Sequence, residues 1–378
     1  MFDALVVGLG AMGSATLAEL AARGARVIGV DAFDPPHALG STHGRSRIIR
    51  EAYYEHPSYV PLVRRAQECW DELARATGLT LFHRTGGLNI GAAGSGLVRG
   101  ALASAERHGL AVELLDGKEV TSRFPAYSVP HDMVGVFERN AGVLLPEQCI
   151  RAYLGLARKR GADVRPHTTV RRVARTAAAI EAHTDDGVIA ARRLVLCAGA
   201  WSAPLLEQLD IALPLTVARQ TMHWLEPAGD AVVRSPERMP VALVEHAPDR
   251  LFYCLPDLGN GVKAAVHHEG ESTNAASVDR TVHSSDIAPV EALAARFLAR
   301  VRGKVRESIV CLYTNTPDRD FAIGVPNGLP HVAVVSACSG HGFKFASAIG
   351  EAVAQLALGE TCSADLSHFR LDRFDPLA

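Results

Sequence analysis

Residues 4–31 read ALVVGLGAMGSATLAELAARGARVIGVD, and this stretch decides the fold. Ala4 to Val7 is a short apolar run rich in β-branched residues, and Gly8 stops it. Gly8-Leu9-Gly10-Ala11-Met12-Gly13 is a G-x-G-x-x-G. From Ser14 to Arg23 the apolar period becomes helical, with Leu17, Leu20 and Ala21 on one face and Gly24 placed as the C-terminal stop. Arg26 to Val30 reads as a second strand, closed by Asp31. A glycine pattern alone is weak, but in a strand–turn–helix–strand unit it marks dinucleotide binding. Gly8 makes the tight turn, Gly10 lets backbone approach a pyrophosphate, and Gly13 lets helix and strand pack closely. The pyrophosphate would sit on the positive helix N-terminus. Asp31, about 20 residues past the turn, is placed to accept from a ribose 2′-hydroxyl rather than meet a 2′-phosphate. At this point the fingerprint leaves FAD and NAD both open.

Working outward, residues 52–76, 97–109 and 147–160 predict helices. Short strands follow at 163–164, 169–173, 180–184 and 188–190. Arg193 to Cys197 is an apolar strand running into Ala198-Gly199-Ala200-Trp201. Residues 215–268 and 305–315 are strand-rich. A last apolar strand at 331–337 leads through Ser339-Gly340-His341-Gly342 into a helix that ends at Gly359. Both chain ends then belong to one nucleotide domain, with a strand-rich domain inserted. We place residues 1–83, 147–218 and 319–378 in the first and residues 84–146 and 219–318 in the second.

Composition excludes several other classes. The 378 residues are 48% hydrophobic and 21% charged, which rules out disordered and fibrous chains. Lys plus Arg is 39 against 41 Asp plus Glu, a net charge of −2. That is too neutral for nucleic-acid or membrane-surface binding through bulk charge. No uncharged apolar run reaches the roughly 18 residues of a membrane span. The apolar stretch from Ala4 lacks the basic residues that precede a signal-peptide core. The seven cysteines are odd in number and include no C-x-x-C pair, so neither a zinc site nor a disulfide framework is expected. A reduced, cytoplasmic protein with no metal is the reading.

Four segments concentrate reactive side chains. Residues 40–50, GSTHGRSRIIR, hold His43, Arg45, Arg47 and Arg50 shortly after Asp31. Arg47 and Arg50 are three apart and would share a face in a helical turn, suiting a carboxylate. A solvated basic turn would look the same. In residues 261–267, GVKAAVH, a strand points Lys263, Ala265 and His267 one way, leaving a small polar niche. In residues 310–318, VCLYTNTPD, Cys311 and Tyr313 share a face in extended backbone, although a buried inert thiol is the usual reading of such a cysteine. In residues 339–346, SGHGFKFA, glycines let backbone approach something flat, the next helix presents its positive end, and Lys344 adds a full charge. Such a site suits an anion.

Together these segments resemble the monomeric sarcosine oxidase and N-methyltryptophan oxidase family, within the wider D-amino-acid-oxidase-like flavoproteins. The resemblance runs end to end and rests on G-S-x-H-G-x-[ST]-R-I-I-R at 40–50, C-x-Y-T-N-T-P-D at 311–318 and S-G-H-G-F-K-F-A at 339–346. It implies an α/β (α+β overall) chain, with a Rossmann-type FAD-binding domain built from discontinuous segments and an inserted mixed or antiparallel β-sheet substrate domain. It implies FAD held covalently through a thioether to Cys311, with Lys263 as the oxygen-activating lysine. Arg50 and Lys344 fall on the substrate-carboxylate clamp. His43, Arg47, Tyr253, His267 and Tyr313 fall on residues around flavin and substrate. Gly8, Gly10, Gly13, Asp31, Ser41, Ser46, Arg47, Val170, Gly199, Gly340, Gly342 and Lys344 complete the expected cofactor contacts.

The implied reaction is oxidation of a secondary-amine amino acid to an imine, with O2 reduced to H2O2 and the imine hydrolysed to amine plus aldehyde. A cyclic amino acid as substrate, or a carrier other than O2 as acceptor, fits the same residues. The expected partners are a small-molecule substrate and O2, and the expected state is a monomer. Thr42, Arg45 and Ser46 depart from the family's His, Asp and Thr. Met222, Trp224, Glu245 and His246 are the candidate pocket walls from the strand-rich part.

Overall fold

A computed structural model describes residues 1–176, 178–298, 300–301 and 303–374. Its centre is a six-stranded sheet in the order Ala322–Gly324, Val332–Ser336, Leu194–Leu196, Ala4–Val7, Val27–Val30, Asp163–Arg165. All neighbours run parallel except the antiparallel pair at the first edge. Side chains alternate across a strand, so the first strand feeds two cores. Ala4 and Val6 pack under the helices Ala11–Ala22, Pro146–Lys159 and Ala346–Leu358. Leu5 and Val7 pack under the small antiparallel sheet Val170–Arg175, Ile180–Thr184, Gly187–Ala191 and the helix Ser202–Glu207. Burial on both faces explains why these strands are continuously apolar.

The second large sheet has nine strands drawn from residues 87–138 and 216–315. It is antiparallel except where Val241–Ala247 lies parallel to Gly87–Ala92. Thr216–Leu225 is its long internal strand, paired along its length with Val305–Asn315 on one side and with Lys263–His267 on the other. A three-stranded sheet, Arg47–Ile49, Gly142–Leu144, Phe82–His83, lies apart from both. Among the described residues no helix is long and apolar enough to cross a membrane.

Two expectations fail here for one reason. The helix predicted over 52–76 starts only at Tyr59. Glu138 takes the Glu51 and Ala52 amides at 2.7 and 2.5 Å, and Ser104 donates to the Tyr53 carbonyl, so the preceding backbone is committed elsewhere. Pro57 also disfavours a helical residue before it. Arg47 and Arg50 do not share a helical face either, because residues 47–49 are strand and Arg50 lies just beyond its end.

Candidate active site

Gly8 adopts φ +88°, and a Cβ there would lie 2.5 Å from the Cys197 carbonyl oxygen. A Cβ on Gly13 would lie 1.7 Å from the Gly8 carbonyl oxygen, so only glycine lets the helix start against the strand. In front of Gly10 the nearest atom is the Thr42 hydroxyl, 3.5 Å from where a Cβ would sit, which leaves the helix N-terminus open to a ligand. Asp31 accepts from Leu9 N at 2.7 Å with one oxygen and from Phe33 N at 2.9 Å with the other. It is buried and lines the cavity.

The cavity, about 630 Å³, runs from this turn across the top of the parallel sheet to the second sheet. Ser41, Ser46, Arg47, Val170, Gly199, Gly340 and Gly342 line it. Period-2 alternation brings Lys263 and His267 to it from one strand and Cys311 and Tyr313 from another. Arg47 donates to the Ser41 carbonyl at 2.7 Å and holds its guanidinium 4.0 Å from the Cys311 sulfur. His267 Nδ1 lies 3.1 Å from the Tyr313 hydroxyl. A Cβ on Gly340 would lie 2.4 Å from the Tyr313 ring, so that approach too requires glycine.

The far end is cationic. Arg50 is buried; its Nη2 donates to both Glu55 carboxylate oxygens at 2.8 and 2.7 Å, its Nη1 donates to the Ala52 carbonyl, and its guanidinium carbon lies 4.2 Å from the Tyr53 ring centre. Lys344 Nζ donates to the His341 carbonyl at 2.7 Å and to the Tyr53 hydroxyl at 3.3 Å. Burial, with Arg50 adding to it, pushes Lys344 down to about 7. Burial raises the Glu55 carboxyl, but Arg50, His341 and Lys344 outweigh that and hold it below the ordinary carboxylate range. Burial drives Lys263 well below a free lysine, with Arg47 contributing; its amine donates to the Gly44 and Ser46 carbonyls at 2.8 and 2.9 Å. Burial raises the Cys311 thiol, while Arg47 and Lys263 favour its thiolate.

Every predicted site residue lies on the cavity wall except Gly13, which packs beneath the turn, and His43. His43 is buried behind the wall, and burial with Arg47 and Lys263 nearby drives it down to about 3. Its ring nitrogens find no hydrogen-bond partner of normal geometry, although the Gly40 backbone is close. Of the suggested walls only Met222 reaches the cavity. Trp224 is covered by Arg45, Glu245 caps the Leu97 amide at 2.8 Å, and His246 faces Glu269. Leu243, Leu251 and Leu255 form the wall instead.

Sequence reading missed Glu55 and Glu138. Glu55 followed Arg50 by five residues and was absorbed into a predicted helix. Glu138 gave no local signal, because its partners lie 86 and 87 residues away. Burial raises Glu138 to about 7, against the pull of its two amide donors.

The residues present fit FAD. Gly8 and Gly340 leave no room for a side chain on the cavity wall, Gly10 leaves the helix N-terminus open, Asp31 lines the same end, and the buried Arg50 and Lys344 stand at the other.

Known proteins agree. The family model for FAD dependent oxidoreductase, DAO, matches residues 3–356. The chain is 37% identical over 372 residues to monomeric sarcosine oxidase of Streptomyces avermitilis, covering 97% of this chain and 96% of that one. It is 33% identical over 375 residues to N-methyl-L-tryptophan oxidase of Yersinia pestis, covering 99% of each. In fold it is similar to NikD, an unusual amino acid oxidase essential for nikkomycin biosynthesis, with a TM-score of 0.86 at 23% identity over 98% of this chain and 97% of that one. Fingerprint, fold and near-complete coverage lead to one conclusion: the chain belongs to the DAO family of FAD-dependent oxidoreductases.

Proposed function

We propose that the protein oxidises a secondary-amine amino acid, sarcosine or another N-methyl amino acid, to an imine, with O2 as acceptor and H2O2 and the hydrolysis products of the imine released. The observation that carries this is the Arg50–Glu55 pair. A buried guanidinium already holds a carboxylate, one nitrogen donating to both of its oxygens, at the cationic end of a cofactor-sized cavity. A substrate carboxylate takes the place of Glu55 between Arg50 and Lys344. FAD, when bound, supplies the two-electron acceptor that the side chains lack.

The protein's own groups orient and tune. Arg50 and Lys344 fix the carboxylate and thereby the amine-bearing carbon. The buried surroundings and the nearby Arg50 and Arg47 charges disfavour an ammonium, leaving the substrate nitrogen its lone pair. Tyr253 and Tyr313 wall the niche, and Arg47 brings positive charge beside Cys311. Leu243 and Leu251 make one side apolar, which leaves room for an apolar substituent. Lys263, on the cavity wall and held by the Gly44 and Ser46 carbonyls, meets O2. The protein acts as a monomer, as the name of its relatives says of them. Its free cysteines are compatible with a cytoplasmic setting.

The test is peroxide release under air from sarcosine, N-methyltryptophan, other N-methyl amino acids, proline, pipecolate and glycine. Turnover of an N-methyl amino acid is expected. Turnover of proline or pipecolate alone would replace the substrate class, and dye reduction without peroxide would replace the acceptor.

Two further outcomes follow. Acid-precipitated protein should stay yellow, and Cys311→Ala should give a colourless pellet, because the thioether to the flavin is then absent. A colourless wild-type pellet rejects covalent attachment. Because burial pushes Lys344 down to about 7 and a bound carboxylate favours its charged form, binding should take up a proton above that pH. Carboxylate affinity should therefore weaken as pH rises through about 7. A flat Kd profile from pH 6 to 9, read by absorbance titration with a simple carboxylate, would remove Lys344 from the clamp.

A further inference from the structure

Three side chains form a row across three adjacent strands of the large sheet. Strand register pairs Trp224 with Lys263 on one side and with Glu307 on the other. Arg45 lies on this row from outside the sheet. Its guanidinium carbon is 4.6 Å from the Trp224 ring centre, and its fork meets the Glu307 carboxylate at 2.9 and 2.5 Å. On the same indole, Lys263 Nζ lies 5.4 Å from the ring centre.

The backbone of Arg45 is the middle of the turn that holds Lys263. The carbonyls on either side of it, those of Gly44 and Ser46, are the two acceptors of the Lys263 amine. Arg45 sits at φ +66°, in the left-handed region that a long side chain rarely adopts. Gly44 at φ +95° has no room for a side chain, since a Cβ would lie 2.7 Å from Met222 and 3.3 Å from Lys263 Nζ. A turn under that strain needs an external hold. Two are present: the Arg45 amide donates to Glu147 at 3.0 Å, and the Arg45 side chain is pinned by stacking and by the fork to Glu307. The pair is partly exposed, 41% for Arg45 and 36% for Glu307, so the ion pair alone would hold weakly; the indole makes the geometry definite.

We propose that Arg45, stacked on Trp224 and forked to Glu307, is a positioning residue for Lys263: it keeps the Gly44–Ser46 turn closed over the amine. The inference rests on the reading of Lys263 as the group that meets O2, and it gives the Arg45 departure a function.

The experiment uses holoenzyme variants Arg45→Ala, Glu307→Gln, Lys263→Met and the double variant Arg45→Ala/Lys263→Met. Rapid kinetics would separate anaerobic reduction by substrate from reoxidation by O2. Acetic anhydride labelling, read by peptide mass spectrometry, would measure how readily the folded protein exposes the Lys263 amine against exposed lysines as internal standards. Arg45→Ala is expected to slow reoxidation about tenfold, to leave reduction unchanged, and to label Lys263 several-fold faster. Glu307→Gln should shift both readouts the same way by less. In the Lys263→Met background, Arg45→Ala should add nothing, because Arg45 acts through the lysine. Unchanged labelling and reoxidation in Arg45→Ala, or losses that add in the double variant, would overturn the proposal. If Lys263→Met itself leaves reoxidation intact, the oxygen reading fails, and the labelling alone then decides whether Arg45 holds the amine.

Discussion

Lys263→Met should slow reoxidation of the substrate-reduced enzyme by about 10²–10³-fold, the range seen when a preorganised charge donor is removed, while anaerobic reduction changes far less. Methionine keeps an unbranched, flexible side chain of nearly the same length and removes the ammonium with its charge and donors. The amine is buried between the Gly44 and Ser46 carbonyls and the Trp224 face. Those carbonyls then lose their donor, so a stability cost of about 1–3 kcal/mol accompanies the kinetic effect and should appear in the melting temperature. Burial depresses the lysine, so its charged form is present below that lowered pKa and lost above it. Reoxidation in the wild type should accordingly fall as pH rises, and the variant's profile should be flat. Equal slowing of both half-reactions would reject the role.

Arg50→Met carries the second large effect. It should lower kcat/KM for a carboxylate-bearing amine by about 10³-fold, some 4 kcal/mol, because a desolvated forked pair is lost. The substitution also strands Glu55, a largely buried carboxylate that loses its guanidinium partner and keeps only Lys344 as a cationic neighbour. Breaking one side of a buried pair costs about 3–5 kcal/mol, so the single variant should melt early. Arg50→Met/Glu55→Gln should recover the stability and not the catalysis. Glu55→Gln alone should bind a simple carboxylate more tightly than wild type, because the internal competitor has lost its charge. Comparing melting curves with steady-state kinetics across the three variants separates the two roles of Arg50. Wild-type turnover in the double variant would place the carboxylate elsewhere.

Local sterics made much of this readable from sequence. Gly8 must adopt positive φ and Gly13 must lack a Cβ, and each requirement arises within a few residues of the glycine. The period of two put Lys263 with His267 and Cys311 with Tyr313 on shared faces, because alternation belongs to the strand itself. The helix boundary at Tyr59 was not readable, since a carboxylate 86 residues away holds the Ala52 amide.

By itself, the sequence determined the strand–turn–helix unit, its dinucleotide-binding turn and which charged residues share a strand face, because backbone conformation and side-chain alternation are decided over a few neighbours. The tertiary structure alone decided the partners. Arg50 is paired with Glu55, His43 turns behind the wall, and Glu307, Trp224 and Lys263 stand in a row because strand register brought them there. Register and ion pairing depend on how distant segments pack, and charges carry no local mark of the partner that burial will force on them.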